Sequence, residues 1–281
     1  MMDQMKKTIV FLIVLITCFA TPLMAKEQYK FSMLPRYFPK RIKSMINPLA
    51  EYLSKQKGLD VKAVLTKDFA EYENRLKNGD IEIGYQNPLV YVKVSKTHEV
   101  LAMAIKGAGG DKFRGIIITR PDSGVESIKD LRHKRIMIVG TTSAGGYLSQ
   151  KMTLYKNGIE VQKSCDIEVA ADNKQENVII SVSIGDVDAG FIRESALHAA
   201  DKYIQPGSIK TLANCAWLPN WAFSVKRSIP ENKKKAIKDA LIGLKKGSPV
   251  LKAIGLNGFC PADDRRYDII RKLLGIAATS G

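Results

Sequence analysis

Histidine is scarce: three in 281 residues, none in an HExxH spacing, so zinc-protease chemistry has no ligand pair to build on. Four cysteines, no two of them spaced as CxxC, exclude a disulfide-built scaffold and a zinc ribbon. There is no GxSxG elbow, and neither GAGGDK nor GTTSAGG ends in the Gly-Lys-Ser/Thr of a nucleotide-hydrolysing phosphate loop. Neither a metal nor a cofactor is therefore expected, nor an enzyme. Aromatic residues make up only 7%, too few to suggest a stacking platform for single-stranded nucleic acid. Beyond the first 25 residues, no apolar run approaches the length needed to cross a bilayer. Acidic residues are outnumbered 28 to 44 by basic ones, and the resulting +16 charge favours anionic partners without naming them. What is plentiful is apolar material, 45%, enough for one large or two medium domains.

The amino terminus has a three-part layout. Lys6 and Lys7 precede an apolar run from Thr8 to Ala20, and Thr-Pro-Leu-Met-Ala then leads into the polar KEQYK. This pattern predicts a secretory signal over 1–25, cleaved after Ala25, and hence a periplasmic protein with no stable membrane insertion. The run is too short to span about 30 Å of hydrocarbon. Lipid anchoring through Cys18 is a lesser alternative, because Thr17 stands where a small residue is expected. Export makes nucleic acid an improbable partner. Cys165, Cys215 and Cys260 remain in the mature chain and allow either one disulfide, with Cys215–Cys260 preferred, or three free thiols.

Strand-like and helix-like segments alternate through the mature chain. Apolar residues Ile42, Met45, Ile46, Leu49, Tyr52 and Leu53 form one helical stripe within 41–55, with Pro48 as a start or kink. Further strands are predicted at 60–65, 81–85, 100–105, 116–119, 135–139, 167–170, 189–192 and 222–226. Helices are predicted at 69–77, 146–157 and 174–184, and beyond Ser228-Ile-Pro-Glu231. Such alternation argues for an α/β fold with largely parallel sheets, two rather than one. Ligands in these folds bind where strand carboxyl ends feed helix starts.

Four loops satisfy that rule. Gly140–Gly146 places Thr141, Thr142 and Ser143 before a helix, where unpaired amides and hydroxyls suit an oxyanion. Gln86 and Asn87 end a strand, and Tyr91 lies one turn into the helix that follows. Arg36 and Tyr37 follow the first strand, and Arg36 suits a bidentate anion contact. Arg193 and Glu194 end the strand beginning at Ala189. Each loop also has a plain structural reading as a cap, a helix start or a surface ion pair.

Several stretches together resemble the phosphate/phosphite/phosphonate-type solute-binding proteins of ABC transporters. They are MLPRYFP, PLAEYLSKQKG, NGDIEIGYQNPLVYV, FRGIIITRPDSGVESIKDLRHKRI, SAGGYLSQ and GDVDAGFIRESAL. The resemblance implies a two-lobed type II (Venus flytrap) periplasmic binding fold with a hinged cleft. The first lobe would comprise 27–112 and 227–281, the second 113–226. It further implies a small oxyanion gripped by Thr142 and Ser143, an aromatic helper in Tyr91 or Tyr37, a monomer, and an ABC permease as partner. The sensor branch of the family implies a histidine kinase or chemoreceptor instead. The chain departs from the Ser-Thr-Ser run of phosphonate binders, since Ala144 and Gly145 follow Ser143.

Overall fold

The computed structural model describes residues 28–56, 58–107 and 109–278. The predicted signal segment, with Cys18 and the cleavage site, lies outside the described residues. The chain opens with β1 (Tyr29–Met33), α1 (Pro39–Ser54), β2 (Val61–Ala63), α2 (Phe69–Lys77), β3 (Ile83–Gln86), α3 (Pro88–Val94) and β4 (His98–Ile105). A second run contains β5 (Lys112–Thr119), β6 (Arg135–Ile138), α4 (Ser149–Lys156), α5 (Val161–Ser164), β7 (Asp166–Val169), α6 (Gln175–Ile184), β8 (Ala189–Arg193) and β9 (Lys210–Pro219). The chain closes with β10 (Ala222–Lys226), α7 (Glu231–Ile242), α8 (Pro249–Ile254), β11 (Gly258–Pro261) and α9 (Asp268–Leu273). None of the described helices is long and apolar enough to cross a membrane.

Helix starts have local causes. The Asp68 carboxylate accepts the Glu71 N–H at 2.8 Å and opens α2, and the Asn87 side-chain oxygen accepts the Val90 N–H at 2.9 Å and opens α3. Pro39 and Pro88 occupy first-turn positions, where a missing N–H removes no helical bond. Pro39 rather than Pro48 therefore starts α1, and Pro48 sits inside it. The stripe of α1 is buried as its spacing requires, at Ile42, Met45, Ile46, Leu49 and Leu53.

The strands form two sheets, ordered β11-β4-β10-β3-β1-β2 and β7-β6-β8-β5-β9. Each is mixed rather than largely parallel. β1 pairs in parallel with β2 and β3, and β6 with β7 and β8, but β4, β10 and β11 run antiparallel, as do β5 and β9 against their neighbours. Connectivity explains this. The chain leaves the first sheet along β4 into β5 and returns along β9 into β10, and an outgoing strand beside its return must be antiparallel.

This return also corrects the expected boundary at 226. Because β10 pairs with β3 and β4, residues 222–226 belong to the first sheet, and the crossing back occurs at 220–221. The two crossings are joined side by side: Asn220 N–H donates to the Asp111 carbonyl at 2.8 Å, and Asn220 Nδ2 to the Gly110 carbonyl at 3.2 Å. The preferred Cys215–Cys260 disulfide is likewise corrected. All three described cysteines are free, with Cys215 on β9 in the second lobe and Cys260 on β11 in the first.

Candidate functional site

In each sheet, the order reverses around a central parallel strand, with β1 flanked by β2 and β3 and β6 flanked by β7 and β8. The two reversal points face each other across the gap between lobes. From the first lobe, Arg36 follows β1 and Asn87 follows β3. From the second, Ser143 follows β6, Gln175 follows β7 and Arg193 ends β8. Leu34, Phe113, Gly145 and Trp221 help these residues enclose an inner space of about 20 Å³. It shares Arg36, Gln175 and Arg193 with an adjoining cavity of about 340 Å³ that also has Tyr37 and Arg41 in its wall. On the other side of Arg193, a cavity of about 600 Å³ is bordered by Lys106, Phe113, Arg114 and Trp217.

The Ser143 loop owes its shape to crowding. Ser143 Oγ accepts the Gly146 N–H at 3.1 Å, which leaves the hydroxyl hydrogen able to donate elsewhere. A Cβ on Gly145 would lie 2.9 Å from Arg193 Cβ, and one on Gly146 would lie 2.4 Å from Val139 Cγ2, so both positions demand glycine. Buried Gln150 sets its Nε2 within hydrogen-bond distance of the carbonyls of Gly145, Ile116 and Ile192, fixing the loop against two strands. A single π-helical turn over Ala144–Leu148 precedes α4, so the regular helix begins at Ser149 instead of Gly146.

Arg193 is the centre of the electrostatics. It is only 5% exposed; Gln175 Oε1 accepts its backbone N–H at 2.8 Å, and its Nη2 donates to Asn220 Oδ1 at 3.3 Å. Its Nε has no hydrogen-bond partner among the described residues, nor has that of Arg36. Burial first, and then the Arg36 charge, pull the Arg193 guanidinium down from its ordinary value to about 9, still protonated at neutral pH. The Lys106 ammonium is pushed from 10.5 to about 7 by burial, then by Arg36, Arg193 and Arg41. The aromatic faces supply partial compensation: Arg193 lies 4.1 Å from the Phe113 ring centre, and Arg36 lies 4.6 and 4.7 Å from those of Tyr37 and Trp221.

The residues singled out from sequence divide into four groups. Arg36, Asn87, Ser143 and Arg193 converge on the inner space, and Tyr37 on the adjoining cavity. Glu194 borders the 600 Å³ cavity, where its Oε1 receives both Nε and Nη2 of Arg114, so the alternative reading of Arg193 and Glu194 as a surface ion pair gives way to an Arg114–Glu194 pair. The Thr141 and Thr142 side chains are not among the residues enclosing these spaces; Thr142 contributes its carbonyl, which accepts Asn87 Nδ2 at 3.0 Å. Gln86 and Tyr91 point elsewhere. Gln86 is buried between Tyr72 and Ser224, and Tyr91 donates to Asp264 Oδ1 at 2.6 Å within the core of the first lobe. Lys106, Gln175 and Trp221 escaped the sequence reading. Gln175 follows β7 and obeys the same strand-end rule, whereas Lys106 and Trp221 reach the cleft from the crossings.

Two mixed α/β lobes joined by paired crossings, with a cationic cleft between facing strand ends, define a two-lobed solute-binding protein. The family model described as "ABC transporter, phosphonate, periplasmic substrate-binding protein" matches residues 31–267, and the chain belongs to that family. Its similarity to individual relatives is distant. It is 23% identical over 252 residues to the phosphate-import protein PhnD of Mycolicibacterium smegmatis, covering 84% of this chain and 77% of that one. PhnD1 of Prochlorococcus marinus, solved with methylphosphonate, superposes with a TM-score of 0.76 at 16% identity, covering 89% of this chain and 97% of that one. A binding-protein component of an ABC phosphonate transporter from Pseudomonas aeruginosa gives 0.72 at 18% identity, covering 89% and 86%.

Proposed function

We propose that this protein captures a phosphonate- or phosphate-like oxyanion between its lobes and presents it, chemically unchanged, to an ABC permease in the periplasm as a monomer. The observation that carries the reading is the buried Arg193 guanidinium, its Nε unpartnered, beside Arg36 and the Ser143 hydroxyl at the lobe boundary. An unpaired buried cation is costly on its own, and an oxyanion seated there satisfies it by charge-assisted hydrogen bonds. The ligand would hold Arg36 from one lobe and Ser143 and Arg193 from the other, so binding favours closure by its differential affinity for the closed form. The names and bound ligand of the relatives support the same head group, and the missing second and third hydroxyls after Ser143 are offset by the two guanidiniums.

Isothermal titration of the chain from residue 26 onward with phosphate, phosphite, methylphosphonate and sulfate tests this. At least one should bind, and Ser143→Ala should weaken it by about 1.5–3 kcal/mol, the range for a hydrogen bond to a charged group. No heat with any of the four, or an unaltered affinity in the variant, overturns the reading.

A further inference from the structure

The charge inventory of the cleft says more about the cargo than its head group does. Arg36, Arg41, Lys106, Lys112, Arg114 and Arg193 border the three joined spaces, against two carboxylates, Glu176 and Glu194. Glu194 and Arg114 pair with contacts of 3.0 and 2.6 Å and offset each other, which leaves Lys106 and Lys112 as the cations of their shared wall without a carboxylate. The wall toward the crossings holds Lys106, Lys112 and Arg114 around a cavity of about 600 Å³, and Arg193 separates it from the adjoining 340 Å³ cavity. A dianionic head at Ser143 and Arg193 leaves that wall with cations and no free carboxylate of its own.

Resting on the oxyanion reading above, we infer that the cargo is fully anionic: a phosphoryl head carrying a second acidic group that lies along Lys106 and Lys112, and no ammonium. A zwitterion would bring its cation against this wall, and like charges repel more strongly where water is partly excluded, as around Lys106. Specificity arises here from an unpaired repulsive charge as much as from attraction.

Three ligands with the same head group separate the possibilities: methylphosphonate, 2-aminoethylphosphonate and phosphonoacetate, each titrated calorimetrically at one pH. Phosphonoacetate should bind about tenfold or more tighter than methylphosphonate, and 2-aminoethylphosphonate correspondingly weaker. In Lys112→Gln, at an exposed position, the ratio between phosphonoacetate and methylphosphonate should shrink several-fold. If 2-aminoethylphosphonate equals or exceeds methylphosphonate, or the ratio survives the substitution, the second acidic group is refuted while the head-group reading stands. If none of the three binds, both fall.

Discussion

A single lysine reports how crowded the cleft is. Lys106 titrates at about 7 inside the folded protein and at 10.5 when free, so between those values the unfolded chain holds a proton that the folded chain does not. Stability must therefore rise with pH across about 7 to 10.5, and the charged form costs the fold its full penalty below about 7. Lys106→Met removes the penalty. Its melting temperature should exceed that of the wild type at pH 6, and the advantage should fade by pH 10; a constant offset would show that Lys106 is not held among cations. Arg193, at about 9, keeps its proton at neutral pH where Lys106 begins to lose its own, and this is why it is the residue an anion would satisfy there.

Among the elements, α3 shows where sequence stops being informative. The bounds of α2 and β10 follow from local pattern alone, and the strand-end rule finds Arg36, Asn87, Ser143 and Arg193 because it depends on chain direction. Tyr91 defeats that rule: its position one turn into α3 is legible, but its partner Asp264 lies 173 residues away and itself accepts Arg271 Nη2 at 2.6 Å. Burial and that carboxylate push the Tyr91 hydroxyl far above its ordinary range. Tyr91→Phe should therefore lower stability by about 1–3 kcal/mol, by stranding a buried polar group, and leave oxyanion affinity unchanged. Paired denaturation and titration check it, and loss of affinity alone would return Tyr91 to the site. β9 was missed for a related reason. KTLANCAWLP mixes polar and apolar positions without alternation, and the strand exists because β5 pairs with it along Lys112–Thr119.

At the scale of the molecule, the contacts between the lobes among the described residues include a polar bond, an apolar seam and the Lys174 ammonium 5.0 Å from the Phe38 ring centre. Asn87 Nδ2 reaches the Thr142 carbonyl, and Phe113, Ala144, Leu148 and Leu218 of the second lobe join the core cluster of the first. Asn87→Asp retains the cap on α3 but turns the donor into a carboxylate facing a carbonyl. Small-angle X-ray scattering should give a larger radius of gyration with helix content intact; an unchanged radius would assign closure to the remaining contacts. The sheet order carries a different consequence, in time. β10 lies between β3 and β4, so β1, β2 and β3 can pair with one another but β4 cannot join them until residue 226 has been made, whereas residues 112–219 supply all five strands of the second sheet. The later-made half is thus the first able to mature, and the amino-terminal half waits with two strands bare on their facing edges, a window in which a holdase has something to shield.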